Sequence, residues 1–295
     1  MTVYADIPLT AEIVKVVADR FGIEASGYDA TRLHGGEESA AYRLDDHVVR
    51  IGPRWRGDPQ VEWCHAVAAR AAAAAPQFLA PLHDRDGRTV IRVDGRPVTV
   101  WPYVAGRWAD DRHPAHRRHA AELLARFHTA LATTDLGPPP APRAWGVTPS
   151  EVADVDLDAW LADFDRRHPP RQPLHGDYYA GNTLADGDRI AAVLDWDESY
   201  VGPPQREAAH AAWEWGDGLN DVTLDGAYEF LDAYAAAGGP GTARLDDLTL
   251  RQLIRERLRW EVAWAHGVAE RGERRDADDQ AYTRRQADAF WQLRP

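Results

Sequence analysis

Cysteine is almost absent from this 295-residue chain: Cys64 stands alone. One thiol can form no intramolecular disulfide, and it leaves a cysteine zinc site without its ligands. A reducing cytoplasm is the compartment this usage predicts. Lysine is equally scarce, Lys15 being the only one among 34 Lys and Arg residues, against 47 Asp and Glu. We read the preference for Arg, like the abundance of Ala, as genome composition bias before function. The formal charge of −13 argues against nucleic acid or an anionic membrane as a partner, since both demand clustered cations. It leaves a cationic or neutral small molecule as the favoured class of ligand. Long apolar runs are missing too. The alanine-rich stretch 66–75 is broken by Arg70 and falls far short of the ~20 apolar residues that span a bilayer. Residues 1–8 lack a basic region followed by an apolar core, so no signal peptide is expected. No internal repeat is present.

What is there suits a folded globule. Hydrophobic residues make up 44% and charged residues 27%, enough for one large or two modest domains with a full core. Thr10 caps a first helix that stops at Phe21-Gly22. Short strands follow at 29–33, 40–44 and 47–51, with His34-Gly35-Gly36 and Asp45-Asp46 at the breaks, a spacing that predicts an antiparallel meander. A helix at 62–74, closed by Pro76, leads to further strands at 78–83, 89–93 and 97–103. Asp84-Arg85-Asp86-Gly87 and Asp94-Gly95 provide the turns between them.

After Val104-Ala105-Gly106 the pattern becomes helical, with Ala121, Leu124, Phe127 and Leu131 spaced along 114–133. The prediction is therefore an α+β chain, with a mainly β part at 1–106 and a mainly helical part at 107–295. The proline-rich 137–142 reads as a surface loop. Thr148-Pro149-Ser150-Glu151 has the form of a capping box opening a helix to about 167. Asp186-Gly187-Asp188 turns a hairpin between 183–185 and 190–194. Helices at 206–215, 224–237, 245–267 and 276–291 complete the chain.

Chemistry concentrates in Leu174-His175-Gly176-Asp177-Tyr178-Tyr179-Ala180-Gly181-Asn182 and in the apolar run 190–194, which delivers Asp195-Trp196-Asp197. One carboxylate can take a proton from a hydroxyl. An amide oxygen and a second carboxylate can hold a hard cation. Together these are what phosphoryl transfer from Mg-ATP needs. Any single Asp is more often a cap or turn residue. The order of His-Gly-Asp, Asn, turn, strand and Asp carries the signal.

That order resembles the kinase catalytic loop H-x-D-x-x-x-x-N and the metal-binding Asp after it. With Gly following the His, and Asp-Trp in place of Asp-Phe-Gly, the chain looks like the aminoglycoside phosphotransferase and choline kinase family. The resemblance covers most of the chain, with strong motifs in the middle and weak ones at both ends. It implies a two-lobed, protein-kinase-like fold with the nucleotide in the cleft: a small antiparallel sheet lobe at 1–106 and a helical catalytic lobe at 107–295.

In this family pattern Asp177 would be the catalytic base, His175 would orient the loop, and Asn182 and Asp195 would hold Mg²⁺ with the phosphates of ATP. Asp197 would assist metal or water, or fix the loop. Residues 33–42 would form the glycine turn over the phosphates, with backbone N–H groups and the Ser39 hydroxyl. The family's strand lysine has no counterpart; Arg50 in Val48-Val49-Arg50-Ile51 takes its place, a bidentate group of different reach. Glu62 is the best candidate partner for Arg50, its alternative being an ordinary solvated helix glutamate. The backbone of Tyr103 and Val104, in Trp101-Pro102-Tyr103-Val104, would meet the adenine edge.

The acceptor is expected at Asp197 and the region after it, among Glu198, Glu207, Trp213, Glu214, Trp215, Asp217, Trp260, Glu261 and Trp264. Carboxylates there suit ammonium groups, and tryptophans suit sugar or base rings or a quaternary amine; a plain core with a solvated acidic face is the alternative. Three functions stay open. The first is an ATP-dependent O-phosphotransferase acting on an antibiotic, such as an aminoglycoside or other sugar-containing natural product. The second is a metabolic kinase for choline, homoserine or a sugar. The third is a catalytically silent kinase-like binding module. A metal-dependent hydrolase using Asp177, Asp195 and Asp197 would leave the first hundred residues unexplained.

Overall fold

The computed structural model describes residues 6–23, 30–33, 38–140, 147–169, 172–241, 245–270 and 275–295. Of the glycine turn expected at 33–42, residues 34–37 lie outside the described residues.

The chain opens with helix α1 (Ala11–Phe21), where Thr10 Oγ1 accepts from the Ile13 N–H at 3.2 Å and Gly22 ends the helix at φ 69°. Both signals are local, so both were legible in the sequence. Strands β1 (Thr31–Arg32), β2 (Ala40–Leu44) and β3 (His47–Ile51) follow, then helix α2 (Asp58–Ala72), then β4 (Ile91–Val93) and β5 (Arg96–Pro102). They form one antiparallel sheet in the order β1-β2-β3-β5-β4. The buried faces of Val49, Ile51, Val98 and Val100 pack with Ile13 and Val17 of α1 in a compact core. The strand expected at 78–83 does not form: Pro81 can donate no ladder hydrogen bond. Phe78 makes only a parallel bridge to Val193, and its ring is buried against Phe127 and Trp196 at 5.6 and 5.9 Å between centroids.

Strand β6 (Arg107–Trp108) leads to α3 (Pro114–Leu131) and α4 (Val155–Arg167). The start of α4 corrects the sequence reading. Ser150–Val152 makes one turn of 3₁₀ helix, and the true cap is Asp154, which accepts from the N–H groups of Asp156 and Leu157 at 3.0 and 3.4 Å. Glu151, assigned to a capping box, instead faces His266 at 3.0 Å.

Next come β7 (Gln172–Leu174), the hairpin β8 (Thr183–Asp186) and β9 (Arg189–Val193), and β10 (Tyr200–Gly202). β10 pairs with β7, while β6 pairs with β8. Helices α5 (Pro204–Trp215), α6 (Gly218–Asp221), α7 (Asp225–Ala236), α8 (Asp247–Glu270) and α9 (Ala277–Gln292) finish the chain. They share a large core with α3 and α4, which α2 joins through Trp63, Cys64, Val67, Ala68 and Ala71. No helix among the described residues is long and apolar enough to cross a membrane.

Candidate active site

Two antiparallel pairs fix the ends of the chemical loops. β7 delivers His175, and the β8–β9 hairpin sets Asn182 beside residue 194, with the Leu194 N–H donating to the Asn182 carbonyl at 2.8 Å. Pairing distant in sequence thus brings Asp177, Asn182 and Asp195 to one place.

His175 is fully buried and works by holding the loop. Its Nδ1 accepts from the Asp177 N–H at 3.2 Å, and its Nε2 lies 2.9 Å from the Leu194 carbonyl. This network assigns the neutral tautomer with the proton on Nε2. Beneath it, Glu207 accepts from the N–H groups of His175 and Gly176 at 3.2 and 2.5 Å and pairs with His128 Nε2 at 2.7 Å. Burial alone would raise the Glu207 carboxyl, but the hydrogen bond and charge of His128 outweigh it and hold the group below its ordinary value. Expected near the acceptor, Glu207 is instead buried under the loop, because two orphan backbone N–H groups there need an acceptor.

The Asp177 carboxylate is held on both oxygens. Oδ2 accepts from Asn182 Nδ2 at 2.7 Å and Oδ1 from Arg257 Nη2 at 2.7 Å. Asn182 Nδ2 also donates to the Asp177 carbonyl at 2.9 Å. With its amide nitrogen committed to Asp177, the Asn182 Oδ1 remains as a hard oxygen.

Asp195 carries another hard-oxygen group, its backbone in the left-handed region at φ 56°. Between it and Asp197, Trp196 is buried against Phe78, Phe127 and His175. Burial of this indole turns both neighbouring carboxylates the other way. Arg50 Nη2 then meets Asp195 at 2.9 Å and Asp197 at 2.9 Å. Among the described residues no cluster of three or more His, Cys, Asp or Glu has metal-binding geometry. An Asn oxygen and one carboxylate nonetheless fit Mg²⁺, which keeps waters and substrate phosphates and needs few protein ligands.

The structure sorts the remaining predicted residues. Arg50 pairs with Asp195 and Asp197, and among the described residues no ion pair joins it to Glu62, because β3 aims the guanidinium across at the loop after β9. Asp197 and Glu198, expected at the acceptor, turn to the opposite side. Arg56 pairs with Asp197 and with Glu38, the latter at 2.8 Å, and lies 4.0 Å from Glu198. Burial opposes the Asp197 charge, yet Arg50, Arg56 and His65 together hold its carboxyl down. Ser39, Arg50, Arg56 and Asp197 line one cavity.

Trp213 is buried in the core, its six-membered ring against Gly218, so it is no stacking platform. The Tyr103 N–H donates to the Asp46 carbonyl at 2.8 Å, closing the end of the sheet. That leaves the Tyr103 carbonyl and the Val104 backbone for a base edge. Cys64 is inert: burial, with the charge of Asp197, pushes its thiol up to about 12.

Glu214 and Trp260 do face Asp177, through a residue the sequence did not reveal. Arg257 of α8 reaches Asp177 at 2.7 Å, Glu261 at 2.6 Å and Glu214 at 3.3 Å, and its guanidinium carbon lies 4.5 Å from the centre of the Trp260 ring. Burial pushes the Glu214 carboxyl up, and the charge of Asp177 adds to this against the pull of Arg257. Asp177, Glu214 and Arg257 line a second cavity. No spacing rule connects Arg257 to a loop 80 positions earlier. The helical i,i+4 pair with Glu261 is visible in the sequence but looks like an ordinary surface pair.

Known proteins resemble this chain at two levels. Homoserine kinase from Methylobacillus flagellatus is 32% identical over 170 residues, 53% of this chain and 53% of that protein. Homoserine kinase from Pseudomonas aeruginosa is 27% identical over 170 residues, 52% of this chain and 54% of that protein. The chain thus spans about half the length of the curated relatives it matches.

Among solved structures, an amicoumacin kinase in complex with AMP-PNP, Ca²⁺ and Ami superposes with a TM-score of 0.72 at 13% identity, covering 96% of this chain and 93% of that one. A choline/ethanolamine kinase family protein from Mesorhizobium loti gives 0.67 at 20% identity, covering 95% and 92%. At these identities the likeness is one of fold, and it establishes the two-lobed kinase-like arrangement expected from the sequence. The model of the phosphotransferase enzyme family matches residues 29–248, and the chain belongs to that family.

Proposed function

We propose that this protein transfers the γ-phosphate of Mg-ATP to a hydroxyl of a small, amine-bearing molecule. The observation that carries the reading is the Asp177 carboxylate, fixed by Asn182 and Arg257 at the wall of a cavity it shares with Glu214. A carboxylate has about four acceptor positions, so two remain for an incoming hydroxyl. Asp177 orients that hydroxyl and takes its proton as the oxygen attacks; in a loose phosphoryl transition state, placement matters more than basicity. Glu214 and Glu261 offer partners for an ammonium group. On the other side Ser39, Arg50 and Arg56 form the wall for the phosphates, and Asn182 and Asp195 would hold the metal. A Mg²⁺ held there would supply charge neutralisation for the phosphates. In this reading residues 1–106 form the nucleotide lobe and 107–295 the catalytic lobe, with α2 packed on the latter.

An antibiotic or other sugar-containing natural product is the first acceptor considered, supported by the amicoumacin kinase likeness. A metabolic amino alcohol is the second, supported by the homoserine kinase relatives. The test is a mass-shift screen of the purified chain with Mg-ATP and a panel of aminoglycosides, nucleoside and peptide antibiotics, choline, homoserine and simple sugars. A gain of one phosphate on an acceptor is expected, reduced about 10²–10⁴-fold in Asp177→Asn with Mg-ATP binding retained by calorimetry. Normal turnover in that variant would remove Asp177 as the base. Absence of both phosphate gain and Mg-ATP binding would leave the silent binding module.

A further inference from the structure

A line of buried polar groups runs from the loop that carries Asp177 to the far end of α7. Glu207 of α5 accepts from the N–H groups of His175 and Gly176, and its Oε2 lies 2.7 Å from His128 Nε2. On the other side of that ring, His128 Nδ1 lies 2.6 Å from the Tyr234 hydroxyl, which donates to the Pro240 carbonyl at 3.2 Å. The His128 carbonyl accepts from Gln172 Nε2 at 3.0 Å, so the same residue also holds β7, the strand that delivers the loop. His128 and Tyr234 are fully buried, and Glu207 is nearly so.

The line has an acceptor at each end, since a carboxylate and a carbonyl cannot donate once the carboxyl is ionised. Three hydrogen bonds between them therefore need three protons. The Tyr234 hydroxyl supplies one, to Pro240, and the imidazole must supply the other two, one from each nitrogen. Charge leads to the same place by a separate route. A carboxylate removed from water needs a counter-charge, and among the described residues His128 is the one ionisable side chain paired with Glu207. The other imidazole nearby, His175, is neutral, its Nδ1 accepting from the Asp177 N–H. Moving a proton from His128 to Glu207 would weaken the two backbone N–H bonds that the carboxylate accepts.

We propose that His128 is an imidazolium at neutral pH and that His128 and Tyr234 are positioning residues for the loop that carries Asp177. His128 gives Glu207 its counter-charge, Glu207 fixes the two N–H groups that precede Asp177, and Tyr234 fixes the ring by accepting from Nδ1. The end of α7 is thereby tied to the loop, although neither side chain touches the reacting groups. A neutral ring would draw the Tyr234 proton onto Nδ1, take it from the Pro240 carbonyl and leave Glu207 charged without a counter-ion. The positioning role rests on the phosphotransferase reading above; the proton count does not.

The experiment takes the full chain, labelled with nitrogen-15, to the NMR spectrometer at pH 7. Ring nitrogens are assigned to His128 through Overhauser contacts with the Tyr234 ring, whose centre lies 5.6 Å away. Both His128 nitrogens are expected to show the shift and one-bond coupling of N–H, whereas His175 shows one N–H only. A single protonated nitrogen in His128 would overturn the proposal, with no variant needed. Tyr234→Phe then removes the acceptor of Nδ1 and keeps the aromatic ring. In this variant the Gly176 amide resonance should move. Turnover of whichever member of the acceptor panel takes phosphate should drop about tenfold in kcat, the scale of one hydrogen bond to a charged group, with KM for ATP unchanged. An unmoved Gly176 resonance, an unchanged kcat or a loss confined to KM would overturn the positioning role. Absence of both phosphate transfer and Mg-ATP binding by calorimetry would overturn the phosphotransferase reading instead, while the His128 proton count stands or falls by its own spectrum.

Discussion

At Gly176 the backbone runs at φ 89°, and a Cβ there would lie 2.0 Å from the Glu198 carbonyl oxygen. The glycine between His175 and Asp177 is therefore required twice, by conformation and by contact with the loop that carries Asp195. Gly176→Ala should lose at least 100-fold in turnover and lower the melting temperature, both read from the purified variant. Normal activity would mean that the loop adjusts to the added methyl. His65 permits a pH prediction. Burial lowers its pKa from 6.5 to about 4, against the charge of Asp197. Below pH 6.5 the unfolded chain therefore takes up a proton that the folded chain refuses. Stability should fall as pH drops from 6.5 towards 4, by roughly 3 kcal/mol at about 1.36 kcal/mol per unit. Urea unfolding midpoints across that range should show the slope, and His65→Gln should flatten it.

Elements are fastened by polar groups at their ends as much as by apolar faces. Asp154 caps α4 and pairs at 2.6 Å with Arg255 of α8, which also donates to the Phe290 carbonyl of α9 at 2.9 Å. Both side chains are nearly fully buried. Asp154→Ala would leave Arg255 buried without its counter-charge, a loss of about 3–5 kcal/mol, with about 1 kcal/mol more for the cap. Denaturant titration checks this, and an effect under 1 kcal/mol would show that Arg255 finds another partner. This pair also explains why the capping box at Thr148-Pro149-Ser150-Glu151 was a false start. A cap that doubles as the counter-charge of a buried arginine outcompetes an exposed one, and the arginine lies 101 positions away.

Across the whole molecule, the sheet meets the catalytic loops through charge. Arg50 of β3 and Arg56, which precedes α2, converge on Asp195 and Asp197, while Glu38 holds Arg56 from the strand side. Arginine can take two carboxylates and still face the cavity of Ser39; the family's lysine offers one point charge. Arg50→Lys should therefore raise KM for ATP about tenfold, the scale of one lost charge-assisted hydrogen bond, with kcat within the same order. Steady-state kinetics at varied ATP decides it. A collapse of kcat at saturating ATP would show that Arg50 also acts in the transition state.

The sequence alone predicted most of the order of elements, an antiparallel sheet with one strand too many at 78–83, the α1 cap and stop and the hairpin after Asn182, and it singled out Asp177, Asn182 and Asp195 as candidates. All of these are local: periodicity, turn residues and a motif within a short span. It also named Glu214 and Trp260, without showing what links them to Asp177. Only the tertiary structure could decide where Asp197, Glu198, Glu207 and Trp213 go. Burial of Trp196 turns Asp197 toward Arg50, orphan N–H groups draw Glu207 under the loop, and core packing takes Trp213. The same holds for Arg257, whose helix reaches Asp177 only after α8 packs against α5. Which side of a loop a carboxylate faces depends on partners far along the chain, and local spacing does not encode them.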